Sequence, residues 1–121
     1  MVNCCSSDNR GIKLIYACSG AANTGFLADA VARKLMKQSA GKMTCMAAIG
    51  AELSGFIESA KSAGKNIVLD GCPVACGKTI FEKLKISYEH YTMTDEGVEK
   101  GKTEITADII DRISESITKR I

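Results

Sequence analysis

Residues 66–79 read NIVLDGCPVACGKT. The first five are rich in β-formers and run into Gly71 and Cys72, after which a helix is expected to about residue 84. Pro73 suits the first turn of that helix, where a missing N–H costs nothing. A strand that passes through a glycine-bearing turn into a helix is the repeating unit of a parallel sheet. The stretch also looks like a phosphate-binding loop, because it closes on Gly77, Lys78 and Thr79. That loop needs G-x-x-x-x-G-K-[ST], with backbone N–H groups wrapped round a phosphate. Here five residues separate Gly71 from Gly77, and Cys76 stands where the second glycine belongs. Pro73 removes an N–H that the cradle would use. A nucleotide site is therefore rejected, and the cysteines remain to be explained.

The same unit recurs on either side. Upstream, IKLIYA (12–17) reads as a buried strand ending at Cys18, Ser19 and Gly20. Asn23 or Thr24 is expected to cap a helix carrying Leu27, Ala30, Val31, Lys34 and Leu35 at helical spacing, with Gly41 as its stop. KMTCMAAIG (42–50) reads as a second strand bearing Cys45, and 52–63 as a helix stopped by Gly64. Downstream, 86–93 reads as a fourth strand and 95–101 as a turn and loop. Ile105, Ile109, Ile113, Ile117 and Ile121 recur every fourth residue, with Ile110 beside them. Thr106 can cap that last helix, Asp108 sits in its first turn, and Lys119 and Arg120 match the dipole at its end. Its apolar stripe is expected to dock on the sheet, the alternative being a dimer seam. The alternation predicts an α/β fold: a single three-layer, Rossmann-like domain with a mostly parallel four-stranded sheet and helices on both faces. Residues 12–121 are assigned to that domain and the polar residues 1–11 to a flexible tail.

Composition narrows the classes of function. A chain of 121 residues holds one modest core. A net charge of +2 without a basic run argues against a nucleic-acid surface, as does the absence of Trp. No apolar stretch approaches a membrane span, and the N-terminus lacks the apolar core of a signal peptide. The expected location is cytoplasmic. In that reducing compartment the six cysteines (4, 5, 18, 45, 72 and 76) read as metal ligands, catalytic thiols or small hydrophobes rather than disulfides.

In an open α/β sheet, ligands sit outside the carboxyl ends of the strands. Cys18 ends the first strand, Cys45 lies at or near the end of the second, and Cys72 is just past the third. Cys76 is expected one helical turn beyond Cys72, on a shared face. Four convergent thiolates suit tetrahedral zinc; iron–sulfur clusters and copper(I) suit the same donors. The helix N-termini after Cys18 and Cys72 would favour thiolates, and Lys78 would offset their charge. Ser19 and Asp70 are candidates for hydrogen bonds that hold the ligand loops. Gly20, Gly71 and Gly77 would let those loops close.

Plainer readings stand beside these. Cys45, next to Met43 and Met46, also reads as a core residue, and Cys18 as a lone loop thiol. Cys72 and Cys76 also read as a redox pair, although C-x-x-C is the usual dithiol motif. Cys4 and Cys5 are either adventitious or extra ligands folding over the site. His90, the single histidine, lies in a strand pattern and reads as structural or exposed. Without a second histidine a Cys–His nucleophile is poorly supported. CSGAANTG (18–25) presents its cysteine as low-molecular-weight tyrosine phosphatases do, but the arginine that chemistry needs six positions on is Thr24. No arginine follows before Arg33, and phosphatase activity is rejected.

Taken together, ACSGAA (17–22), GKMTCMAAIGAELSG (41–55), LDGCPVACGKT (69–79), DEGVEKGK (95–102) and the closing helix resemble the DGC-domain family. The family is named for the tripeptide found here as Asp70-Gly71-Cys72. The resemblance runs from about residue 12 to the end. It implies a zinc-binding protein whose ligands are Cys18, Cys45, Cys72 and Cys76; it brings no reaction. Two classes of function follow. In one, the metal serves structure, delivery or sensing, as four protein ligands with no open position favour. In the other, the Cys72/Cys76 pair and Cys18 carry out thiol redox or sulfur transfer. The expected partner is a metal ion, with no nucleic acid and no membrane; a protein partner is left open, as is the choice of monomer or homodimer.

Overall fold

The computed structural model describes residues 11–121. Cys4, Cys5 and the expected tail lie outside the described residues, Gly11 excepted. Four strands form one sheet: β1 (Lys13–Ala17), β2 (Lys42–Thr44), β3 (Lys65–Asp70) and β4 (Glu89–Thr92). Their order is β2-β1-β3-β4, and every pairing is parallel. Five helices connect and cover them: α1 (Asn23–Lys37), α2 (Met46–Gly50), α3 (Ser54–Ser62), α4 (Cys76–Leu84) and α5 (Ala107–Arg120).

The strands are apolar on both faces, as a sheet covered on both sides requires. Ile15, Ala17, Ile67 and Leu69 pack under Leu27, Val31 and Leu35 of α1 and Ile113 and Ile117 of α5. Leu14, Tyr16 and Val68 point the other way, against Ile49 of α2, Ala60 of α3 and Phe81 of α4. The isoleucine stripe of α5 is thus spent in the core that α5 shares with α1 and the sheet, with Ile113 and Ile117 fully buried. The α/β expectation holds, and the sheet is wholly parallel. The crossover from β1 goes to one side and the later strands to the other, which puts the topological switch point between the carboxyl ends of β1 and β3.

Local boundaries differ where tertiary contacts outweigh local signals. Neither Asn23 nor Thr24 caps α1; the cap position is Ala22, without a side-chain bond. The Asn23 amide is spent on a distant loop, accepting from Gly101 N at 2.7 Å and donating to Thr103 O at 2.8 Å. Helix α1 ends at Lys37, before Gly41, with Ser39 in the left-handed region at φ 61°. The expected second strand stops at Thr44, and Cys45 caps the short helix α2, because a brief apolar run such as MAAIG does not distinguish strand from helix. Helix α4 starts at Cys76, and Pro73 belongs to the turn before it, closed by Ala75 N donating to Cys72 O at 3.0 Å. Cys72 and Cys76 therefore do not share a helical face. The fourth strand begins at Glu89 rather than residue 86, because Lys85 adopts φ 58° and Ile86 N returns to Phe81 O, a Schellman closure of α4. Thr106 does cap α5, accepting from Ile109 N.

Candidate functional site

The carboxyl ends of β1 and β2 open into a cleft of about 630 Å³. Cys18, Cys45 and Cys76 all line it, from the loop after β1, the cap of α2 and the first residue of α4. Met43, Met46, Ala47 and Ala17 contribute apolar side chains to its wall. At one side Ser19 Oγ donates to Asp29 at 3.0 Å, and Arg33 Nε donates to the other Asp29 oxygen at 2.7 Å. The Asp29 carboxylate holds the Arg33 guanidinium charged even above its usual range. Thr44, a residue only 7% exposed, lines the cleft, and its buried hydroxyl has no hydrogen-bond partner.

Cys72 is placed differently. It follows β3, near the switch point, and is not among the residues of the cleft wall. Lys100 Nζ lies 3.4 Å from its sulfur. The loop that brings Lys100 there is built rather than loose. Asn23 ties down Glu99 O, Gly101 N and Thr103 O, and Thr103 Oγ1 accepts from Glu99 N at 2.8 Å. Gly97 and Gly101 supply its positive φ values of 84° and 80°. Lys100 was not singled out from the sequence; only the DEGVEKGK phrase marked its loop, and a loop's landing place is not written in its letters.

Asp70 organises the third segment. It is 1% exposed, and its carboxylate accepts from Gly77 N at 2.9 Å, Lys78 N at 3.0 Å and His90 Nε2 at 2.8 Å. A buried carboxylate needs such partners. Two of them are amides of the first turn of α4, so Asp70 caps that helix from the strand below and fixes Cys76 at its start. That amends an expectation: these α4 amides are committed to Asp70, not to a thiolate. His90 is structural, since its ring steadies Asp70 from β4 while standing edge-on to Tyr88. Lys78 contributes its backbone N–H here, and Lys100 places a cation beside Cys72.

Two close approaches explain glycines. A Cβ on Gly77 would fall 2.5 Å from Met46 Cε and 2.6 Å from Val68 Cγ1, so only glycine lets α4 seat against α2 and β3. A Cβ on Gly71 would fall 2.7 Å from the backbone of Thr24. A Cβ on Gly20 would meet the Cys18 sulfur at an ordinary 3.6 Å. Between Cys72 and Cys76, Ala75 is held in the left-handed conformation at φ 55° without the licence of glycine. Such strain costs about 1 kcal/mol and persists only where surrounding contacts impose it.

The donors are therefore soft and numerous at one sheet edge, but they do not form a closed cage. Among the described residues, no group of three or more His, Cys, Asp or Glu is placed to hold a metal ion. Cys18 and Cys72 are half-buried, whereas Cys45 and Cys76 are exposed, and all four thiols are free. Also among the described residues, no helix is long and apolar enough to cross a membrane.

Comparison with known proteins agrees with the arrangement of motifs. The chain is 31% identical over 90 residues to the anaerobic and virulence modulator AnvM of Pseudomonas aeruginosa, covering 74% of this chain and 69% of that protein. No solved structure matches the chain. The model of the DGC domain matches residues 14–117, from the second residue of β1 into the last turn of α5, and the chain belongs to the DGC-domain family.

Proposed function

We propose that this protein binds zinc in the cytoplasm through Cys18, Cys45, Cys72 and Cys76, for structure, delivery or sensing rather than catalysis. The observation that carries the reading is the convergence of Cys18, Cys45 and Cys76 on one cleft from three separate segments, with Cys72 on the next strand end. Thiolates are the donors that zinc takes in closed sites, and four satisfy its tetrahedral preference. Asp70 and His90 would hold Cys76 in place, as residues behind a metal ligand do. Closing the set requires Cys72 to leave Lys100, so metal loading would be coupled to the loop around Lys100. That coupling suits a sensor. The name of the relative AnvM, which speaks of modulation, supports the same use.

Thiol footprinting tests this. The zinc-loaded protein is treated with iodoacetamide before and after a strong chelator, and each cysteine is followed by mass spectrometry. We expect Cys18, Cys45, Cys72 and Cys76 to be protected together and exposed together, because ligated thiolates are shielded. Four thiols alkylated independently, zinc present or not, would contradict it.

One observation favours a second reading: the Lys100 cation beside Cys72 is a setting in which thiols act as nucleophiles. It would give Cys72 alone a fast alkylation rate that zinc does not slow.

A further inference from the structure

We propose that Cys72 and Lys100 are an oxidation-driven crosslinking pair: when a hydroperoxide oxidises Cys72, its sulfur and the Lys100 Nζ join as a sulfenamide, which a low-molecular-weight thiol reopens. The inference goes beyond the metal reading and needs no metal bound.

The Lys100 Nζ lies 3.4 Å from the Cys72 sulfur. Both residues are open to small oxidants, Cys72 being half-buried and Lys100 exposed. Two anchors at the start of α1 set their approach. Asn23, the first residue of α1, binds the loop on both sides of Lys100, donating to Glu99 O at 3.1 Å and accepting from Gly101 N at 2.7 Å. Gly71, the residue before Cys72, runs against the same turn: a Cβ there would fall 2.7 Å from the Thr24 carbonyl carbon and 2.8 Å from Gly25 N. After Cys72 the turn is closed by Ala75 N, which donates to Cys72 O at 3.0 Å. The sulfur and the nitrogen therefore belong to two segments fastened to one helix start. Cys18, Cys45 and Cys76 line the cleft and Cys72 does not, so the group at hand for an oxidised Cys72 is an amine.

Atoms and electrons balance over two steps. First the Cys72 sulfur attacks the O–O bond of the hydroperoxide. The thiol is oxidised by two electrons to a sulfenic acid, and its proton goes to the departing alkoxide or hydroxide, so the hydroperoxide is reduced to an alcohol or to water. Sulfenic acids condense with a nearby nitrogen as they do with a thiol. In the second step the Lys100 nitrogen attacks the sulfur, and the S–N bond forms as the S–O bond breaks. The hydroxyl leaves as water with one proton from nitrogen, and the other proton of the ammonium passes to solvent. Contact distance makes this condensation effectively unimolecular. Reopening consumes a thiol reductant: one molecule attacks the Cys72 sulfur and releases the amine, and a second frees Cys72 and leaves as the reductant's disulfide. While closed, the link pins the Lys100 loop to the end of β3 and withholds Cys72 from any other partner.

The test treats the metal-free full chain with hydrogen peroxide and maps crosslinked peptides by mass spectrometry. We expect the peptide of Cys72 joined to that of Lys100, lighter than their sum by two hydrogens and separated again by dithiothreitol. Lys100→Arg keeps the charge of an exposed side chain and should abolish the link, whereas Lys102→Arg, in the same loop, should leave it. Asn23→Ala frees the loop and should lower the yield severalfold. Cys18→Ser, Cys45→Ser and Cys76→Ser should each crosslink as the wild type does. An unlinked Lys100, with Cys72 carried on to sulfinic acid or into a disulfide, would overturn the inference. So would a Cys72 link shared equally between Lys100 and Lys102. Zinc added before the peroxide separates the two readings. Protection of Cys72 by zinc supports the zinc site and its lack contradicts that site, while a crosslink formed in the metal-free protein stands in either case.

Discussion

The two ends of the sheet are finished in opposite ways. At the amino end of β3, Asn66 is buried and has its partners. It accepts from Tyr16 Oη at 2.9 Å and donates to Ala60 O at 2.8 Å and Ser87 O at 3.1 Å. Beside it Lys65 pairs with Glu89 at 2.7 Å across β3 and β4. At the carboxyl end, four cysteines stand outside any disulfide and the Thr44 hydroxyl lacks a partner. The buried carboxylate there, Asp70, is as well satisfied as Asn66, and it is the residue that seats Cys76. The difference teaches where to look. A fold that satisfies its buried polar groups at one end and leaves donors open at the other keeps the second end for something it does not itself contain.

The largest expected effect breaks that one satisfied point. Asp70→Ala leaves two helix amides and His90 without their carboxylate and should destabilise the protein by about 3 kcal/mol or more, read by urea unfolding. It should also release Cys76, so its alkylation rate should rise. If stability falls as expected and Cys76 stays as it was, Asp70 braces the fold and not the site.

The amino end gives a smaller and purely structural effect. Tyr16→Phe leaves the buried Asn66 oxygen without its donor and should cost about 1–2 kcal/mol, with metal binding unchanged. It should also alter the alkaline limb of stability. Burial raises the Tyr16 phenol well above its usual range. The sign follows: a group raised in the folded state leaves stability whole below its unfolded pKa, about 10, and loses it as pH rises through the folded value. The variant should therefore lose less stability than the wild type between about pH 10 and 12. Tyr91, raised to about 12 by burial and by its bond to Glu89, remains to titrate in both proteins.

Smallest of the three, Ala75→Gly should stabilise the fold by about 0.5–1 kcal/mol, because glycine accepts the left-handed conformation that alanine resists. A destabilisation here would mean that the turn between Cys72 and Cys76 is not strained.

Much of this arrangement was legible in the letters. The βα alternation and the isoleucine period of α5 gave the layers, because burial on two sheet faces writes itself as apolar runs and helical stripes. The positions of Cys18, Cys45 and Cys72 at strand ends follow from the same reading. What failed was local: the start of α4, the nature of residues 45–50 and the cap of α1. For residues 45–50 the brief apolar run does not distinguish strand from helix, whereas for α4 and for Asn23 a distant partner decided, namely Asp70 and the loop at Glu99–Thr103. The same cause hid Lys100 and the role of His90. Strand order was also out of reach, since nothing in β2 states which edge of β1 it joins.

The central claim is that the thiols of the carboxyl edge hold a metal. Elemental analysis of protein purified anaerobically tests it most directly, on wild type and on Cys72→Ser. The account predicts about one zinc per chain in the wild type and almost none in the variant. A wild type that carries no metal, and takes up no zinc when it is offered, would contradict it.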